Sequence, residues 1–524
     1  MKTQDETSAP VNDALNGLRV LVILPPSRKD RAKYMTKVLQ TAKDRWGWEV
    51  NGIVAHIDRP AFAKLAAPTG QLFSPPRLLR GEAWERDDKA VSAVNERMLD
   101  AEFKTNVPVG RGILAGSHSI GRAYNVAVRY ANQYPLIKRV LSDNTEPFRI
   151  FRRLFNFADA SIEAVKPDLV ISFDWATALH FSTWLAANRH GIPCVAIRDS
   201  KIVHHHGYWT AERLLFNTAA LEEAVARRNK RAPVSDAALK RIKDFRDQPT
   251  TIHWIATRWL YRARRNFLRW HLECARIIAR EFVNTLQGQD NALREAWAGR
   301  FFRYYRRLFH SYYHQRFVHV LEDEALAKMK YVYFPLHKEA ELCQCFQATQ
   351  WHDQRKTIRV LASSLPFGYR LLVREHRLNF GVRPTRIYKE LAAIPNVTVL
   401  DPFDSQFKYL RHADLIVTEN GSSGWEGLML GRRVLTLART FYDGVGLARS
   451  VSDPDQIASA ILDILSKPAV ADQEAYDHAL ACMIDAEAQH TFPTTSDAAE
   501  QALDRLAEVI ITQLRVAQVQ TEAA

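Results

Sequence analysis

Residues 418–437, TENGSSGWEGLMLGRRVLTL, set small polar residues ahead of an acid in the next helical turn. Asn420, Gly421, Ser422, Ser423 and Gly424 would form a loop, with Glu426 in the first turn behind it. Two kinds of chemistry are within reach. The N–H groups that open a helix favour an anion, and the Glu426 carboxylate can accept hydrogen bonds from the hydroxyls of a sugar or ribose. The same spacing also fits a plain helix start, with Ser423 as cap and Glu426 as its capping-box partner three residues on. These residues alone leave both readings open.

The elements around the loop must position it. ADLIVT is a short apolar run rich in β-branched residues and predicts a buried strand ending near Thr418. GWEGLML has helical spacing, Gly431 is a helix stop, and RRVLTL is the next strand. Strand, loop, helix, strand is a βαβ unit, whose ligands bind beyond the carboxyl ends of its strands. From KYVYFPLH (330–337) onward strands and helices alternate through YRLLVREH, TRIYKELAAIP, VTVLDP and SQFKYLRHA. Upstream, LRVLVILPP, WEVNGIVAHI, PDLVISFD and IPCVAIRD predict a second set of strands, while 60–130 is mixed in composition and stays unassigned. Residues 205–330 read as nearly all helix.

The fold class expected is therefore α/β. Two facing Rossmann-like domains with a cleft between them carry a helical, Arg- and aromatic-rich insertion and a helical C-terminal tail. The divisions are a disordered tail at 1–17, an N-terminal domain at 18–204, the basic helical segment at 205–329, the C-terminal Rossmann-like domain at 330–470 and C-terminal helices at 471–524.

A chain of 524 residues is too long for one core. Five cysteines at irregular spacing imply a reducing compartment, and Cys343 and Cys345, one residue apart, read as structural. The polar N-terminus lacks a secretory h-region and no apolar run is long enough to span a bilayer, so a cytoplasmic location is expected. No phosphate-binding or dinucleotide glycine fingerprint is present. Asp453 and Asp455 flank Pro454 as a helix N-cap and first turn rather than a metal pair. His204, His205 and His206 read as a polar loop, and no metal is expected.

The net charge of +14 is concentrated. Residues 251–320 hold 13 Arg, no Lys, four acids and 15 aromatic residues. In FFRYYRRLFHSYY, Phe301, Tyr304, Tyr305, Leu308 and Tyr312 recur at helical spacing, with Arg303, Arg306 and Arg307 on another face. Such a helix could lie on an anionic membrane surface or bind an acidic polymer. It could equally pack on its own protein with a solvated arginine face.

From residue 331 the sequence resembles the capsular polysaccharide biosynthesis family, which includes bacterial Kdo transferases of capsule assembly. YVYFPLHKEAE (331–341), LPFGYRLLVREHRLNFGVRPTRIYKEL (365–391), PNVTVLDPFDSQ (395–406), ADLIVTENGSSGWEGLMLGRRVLTL (413–437) and FYDGVGL (441–447) occur in the family's order. A weaker likeness covers 166–202. The resemblance implies a GT-B-like fold and a glycosyltransferase of capsule or surface polysaccharide biosynthesis. Its sugar would come from a CMP- or UDP-linked sugar nucleotide and go to a saccharide or lipid-linked acceptor, with no cofactor and no metal. Ser422, Ser423 and the helix start, with Asn420, Gly421 and Gly424, would hold the donor phosphate, and Glu426 would meet the ribose. His376 matches the family's Glu-His-Pro block and would act on the phosphate or the sugar, with Arg374 and Glu375 beside it. Arg377 replaces the family's proline. His337 would be a donor contact, or else a strand-end histidine satisfied by the backbone.

An acceptor hydroxyl needs a base and the leaving phosphate needs cations or N–H donors. Asp174 is the candidate base, with Arg198 and Lys201 for an anionic acceptor; Asp174 also fits a simple N-cap for the helix that follows. Arg303, Arg306 and Arg307 would place the protein peripherally on the inner membrane. No nucleic acid is expected as partner. Three other functions fit the pattern: a sugar-nucleotide epimerase of the same architecture, a noncatalytic assembly protein, and a polyanion binder using the arginine segment.

Overall fold

The computed structural model describes residues 14–23, 29–54, 59–76, 82–110, 146–175, 178–250, isolated positions between 268 and 307, 309–338, 346–381, 383–468, 470 and 472–522. Two compact units result. Met1–Ile113, Thr145–Thr218 and Glu487–Ala524 form the first, and Leu114–Asn144 with Ala219–Ala486 the second. In chain order the strands are β1 (Arg19–Ile23), β2 (Glu49–Ile53), β3 (Leu72–Phe73), β4 (Leu169–Ser172), β5 (Cys194–Asp199), β6 (His206–Thr210), β7 (Tyr331–Pro335), β8 (Arg370–Arg374), β9 (Val397–Leu400), β10 (Leu415–Thr418), β11 (Val434–Thr436), β12 (Ala448–Ser450) and β13 (Phe492–Pro493).

The first unit holds a sheet of order β13-β6-β5-β4-β1-β2-β3. Its strands are parallel from β5 through β3, while β6 runs antiparallel to both neighbours. The second unit's sheet, β12-β11-β10-β7-β8-β9, is parallel throughout. Strands buried on both faces read as unbroken apolar runs, and all five residues of β7 (YVYFP) are buried. The strand order reverses between β7 and β10, so the loops after these two strands flank a topological switch point. In the first sheet the reversal falls between β1 and β4.

The expected pair of Rossmann-like α/β units is present, with different borders. The first unit continues past 204: β6 pairs Ala196 with Thr210 and Asp199 with Gly207, so part of the stretch read as helical is sheet. β6 is short, and burial of Tyr208 and Trp209 rather than local periodicity defines it. The tail read at 471–524 is likewise divided. Helix Gln473–Gln489 contains the border at Ala486, while β13 and helix Ala499–Glu522 join the first unit. Leu503, Leu506 and Ile510 enter that core, and Trp209 Nε1 donates to the Ala502 carbonyl at 2.8 Å. At the other terminus Leu15 is buried, and its carbonyl accepts from Trp48 Nε1 at 2.7 Å. The tail read at 1–17 therefore ends in folded structure.

Candidate donor site in the second unit

The glycine- and serine-rich loop follows β10 at the switch point. Gly421 takes an extended conformation (φ −80°, ψ 162°) and is itself the N-cap of helix Ser422–Met429, with no side-chain cap. The capping-box reading therefore fails: Ser423 lies inside the helix, and Glu426 Oε2 accepts instead from Gln406 Nε2 at 2.8 Å. The Ser422 and Ser423 hydroxyls are half-buried and hydrogen-bond to nothing among the described residues. The helix start keeps its anion-favouring character.

Glycines bring the surrounding elements close. A β-carbon on Gly421 would lie 2.9 Å from His337 Cε1. One on Gly424 would overlap the Tyr442 hydroxyl, which donates to the Gly421 carbonyl at 3.3 Å. Asn420 is buried and donates to Gln347 Oε1 at 2.9 Å.

His337 follows β7, and its backbone is clamped on both sides. Its N–H donates to Gln354 Oε1 at 2.7 Å, and its carbonyl accepts from Gln354 Nε2 at 3.1 Å and Asn379 Nδ2 at 3.4 Å. The imidazole thereby lies against Gly421, with Nε2 3.5 Å from Thr418 Oγ1.

The residues ending β8 divide between the site and its support. Glu375 is fully buried and accepts four bonds: from His376 N–H (2.6 Å), Arg383 Nε (2.7 Å) and Nη2 (3.3 Å), and the Tyr388 hydroxyl (2.7 Å). The reading of Glu375 as a donor contact is corrected accordingly, because its acceptor capacity is used inside the protein. Arg374 is also mostly engaged: Nη2 donates to the carbonyls of Pro402 (2.8 Å) and Asp404 (3.0 Å), and Nη1 to Gln406 Oε1 (3.3 Å). Arg377 donates Nε to the same Pro402 carbonyl at 2.8 Å.

His376 Nδ1 accepts from the Leu378 N–H at 3.2 Å, so the neutral ring carries its proton on Nε2. Burial, reinforced by neighbouring His337 and the cations Lys338, Arg374 and Arg383, pushes its pKa down to about 3. A histidine surrounded in this way is neutral at pH 7 and a hydrogen-bond donor. The field that disfavours its protonation favours an anion.

The other predicted residues lie elsewhere. In the first unit Asp174 follows β4, next to that sheet's own switch point, with Oδ2 3.5 Å from Arg198 Nη1. Lys201 lies three residues along from Arg198 and is half-buried. Arg303 and Arg306, like Cys343 and Cys345, lie outside the described residues. Arg307 does not point to a lipid surface: its guanidinium donates to the carbonyls of Phe380 (3.1 Å), Arg377 (3.4 Å) and Leu378 (2.9 Å). These bonds fasten the loop after β8.

Asp453 caps its helical turn by accepting from the Asp455 N–H at 3.0 Å, as its sequence suggests. Asp159, Glu163 and His190 could converge on a cation. Asp159, however, is already the hub of ion pairs with Arg97 (2.8 Å) and Arg189 (3.2 Å) and accepts from His190 (2.9 Å). Among the described residues no helix is long and apolar enough to cross a membrane. Gln406, Gln354 and Tyr442 were not singled out from sequence: each acts through a partner at least 17 residues away, which local spacing does not reveal.

Residues 298–462 match the family model described as capsule polysaccharide biosynthesis protein, and this stretch contains the whole constellation from His337 to Tyr442. This part of the chain is similar to that family. No curated protein sequence matches the chain. Among solved structures it is similar to the beta Kdo 2,7 transferase KpsC of Thermosulfurimonas dismutans (10% identity, 68% of this chain and 89% of that one, TM-score 0.32). It is also similar to HepE of Anabaena, solved with UDP and glucose (10%, 94% and 100%, TM-score 0.30). A third is the UDP-GlcNAc 2-epimerase of Neisseria meningitidis (13%, 90% and 99%, TM-score 0.24). At these TM-scores the fold assignment rests on the two parallel-rich sheets themselves. The matched segment includes the strands of the second unit's sheet and the helix start after β10.

Proposed function

We propose that the protein is a glycosyltransferase of capsule or surface polysaccharide assembly, and that its second unit binds the sugar-nucleotide donor. The observation that carries this reading is the start of helix Ser422–Met429. It has no side-chain cap and lies at the β7/β10 switch point, with His337 against Gly421 and the Glu426 carboxylate within the first turns. In this reading the N–H groups and hydroxyls of Ser422 and Ser423 take the donor phosphate, with His337 beside them. His376, neutral with its proton on Nε2, donates a hydrogen bond to the leaving oxygen, and Glu426 accepts from the ribose hydroxyls. Arg374 contributes positive field while its donors hold the 402–406 loop.

Asp174 is the proposed base for the acceptor hydroxyl, and Arg198 and Lys201 its proposed acceptor contacts; the nearby Arg198 keeps the Asp174 carboxylate oriented. The acceptor is a saccharide or lipid-linked saccharide. Peripheral attachment to an anionic membrane through Arg303 and Arg306 belongs to the same proposal.

The test is a titration of the full chain with CMP- and UDP-linked sugars, followed by product analysis with and without saccharide acceptors. Acceptor-dependent transfer supports the reading. Donor isomerisation without acceptor would make the protein an epimerase, and binding of neither donor would remove the assignment.

A further inference from the structure

Two consecutive peptide units connect Arg307 to His376. In the first, the Arg377 carbonyl accepts from Arg307 Nη2 (3.4 Å), while the N–H at its other end, that of Leu378, donates to His376 Nδ1 (3.2 Å). In the second, the Leu378 carbonyl accepts from the same Nη2 (2.9 Å), and the Asn379 N–H donates to the His376 carbonyl (2.9 Å). A trans peptide is planar, with its C=O and N–H pointing opposite ways, so a guanidinium that holds the oxygens also aims the N–H groups. The bond from Arg307 Nε to the Phe380 carbonyl (3.1 Å) adds a third point of attachment.

The chain is packed tightly around this contact. Gly381 has a φ of +77°, and a β-carbon there would overlap the Arg307 carbonyl oxygen, so the backbone after Phe380 lies directly on that of the arginine. Seven residues further on, His314 Nε2 lies 3.0 Å from Thr385 Oγ1, and the His314 and Tyr388 ring centroids are 4.3 Å apart. The segment carrying Arg307 is thus fixed beside β8 at two places. At His376, a backbone N–H can only donate, so Nδ1 is unprotonated and the neutral ring holds its proton on Nε2. Nε2 hydrogen-bonds to nothing among the described residues.

We propose that Arg307 is a positioning residue: through these two peptide units it holds the Leu378 N–H on His376 Nδ1 and so fixes the ring's proton on Nε2, the nitrogen left for a ligand. The tautomer follows from the contacts themselves; only the use of that proton on a donor's leaving oxygen rests on the function proposed above. Arg307 supplies geometry as well as charge. The planar fork of a guanidinium meets several carbonyls from fixed directions, whereas an ammonium is a compact point charge without such a fork.

The test reads the His376 tautomer by nuclear magnetic resonance on the full chain with isotope-labelled histidine, near neutral pH and without donor, for the wild type, Arg307→Lys and Arg307→Ala. The signal lost in His376→Gln assigns the resonance, and far-ultraviolet circular dichroism checks that each variant is folded. The wild type should show the Nε2–H form. In both Arg307 variants the ratio of Nε2–H to Nδ1–H forms should fall by about fivefold or more, the worth of one backbone hydrogen bond. Guanidinium ion should restore the ratio in Arg307→Ala, and ammonium ion should not. Arg307→Lys keeps the aliphatic stem and the charge, so it decides the matter if Arg307→Ala does not fold. With CMP- and UDP-linked sugars, Arg307→Lys should lower kcat by about tenfold or more and change the donor KM less, because the ring loses orientation as well as its tautomer.

A residue that merely stabilises the fold would lower the unfolding midpoint and leave the tautomer alone. A wild type in the Nδ1–H form, or folded Arg307 variants that keep the wild-type tautomer, overturns the proposal. A wild type that turns over no donor removes the functional reading above, and the tautomer then decides this proposal by itself.

Discussion

Gly424 lies directly under the hydroxyl of Tyr442, so that a methyl group at 424 and the phenol oxygen would claim the same space. The contact joins helix Ser422–Met429 to the segment after β11 and keeps the helix start at its place on the sheet. Gly424→Ala should therefore destabilise the second unit by about 1–3 kcal/mol, the range for overpacking a buried site. In Tyr442→Phe, which removes the overlapping oxygen, the same substitution should cost measurably less. Urea unfolding of the four proteins in this double-mutant cycle gives the coupling, and strict additivity would show that the contact is not limiting.

Glu375 and Arg383 form a fully buried ion pair, with the Tyr388 hydroxyl completing the shell. Removing one charge strands the other. Arg383→Met is expected to cost about 3–5 kcal/mol, and the double replacement Glu375→Leu with Arg383→Met considerably less. Chemical denaturation reads both. If Glu375 contacted the donor instead, Arg383→Met would weaken nucleotide binding with little effect on stability.

The two units should respond to pH in opposite directions. His376 in the second has its pKa lowered from 6.5 to about 3, chiefly by burial. Between those values the unfolded chain binds a proton that the folded chain does not, so stability falls as pH drops below about 6.5. In the first unit Glu487 is buried, accepting from Ser200 Oγ (2.6 Å) and Asn217 Nδ2 (3.0 Å), and burial raises its pKa from 4.5 to about 7. There the folded chain holds the extra proton, and its stabilising contribution, complete below pH 4.5, is lost as pH rises to about 7. Unfolding measured from about pH 4.5 to 8 should show the low-pH loss reduced by His376→Gln and the high-pH loss reduced by Glu487→Gln. An unaltered profile in Glu487→Gln would show that this carboxyl is not the titrating group.

The fold and the candidate site were legible in the sequence to different depths. The β10 strand, its glycine loop and the following helix are local features, visible because β-branched runs, glycines and helical spacing adjoin one another. What was hidden depends on tertiary contact. Nothing near Glu375 announces that Arg383 and Tyr388 will close over it, and Glu426 finds Gln406 twenty residues upstream only because neighbouring helices bring them together. β6 escaped notice because five residues with two buried aromatics carry no clear alternation. Of the two readings left open for Ser423, the capping box fails because Gly421, which lies close against His337, supplies the helix start.

If the start of helix Ser422–Met429 binds the donor phosphate, Ser423→Asp should block it. An acid in the first turn of a helix suits the macrodipole, so the variant should fold at least as well as the wild type. It also places a negative charge where the phosphate would bind. Calorimetric titration of both proteins with CMP, UDP and their sugar conjugates should show binding by the wild type and at least about tenfold weaker binding by Ser423→Asp, the effect of losing a charge-assisted contact. Equal affinity in the two proteins, or no nucleotide binding by the wild type, would rule out this helix start as the phosphate site.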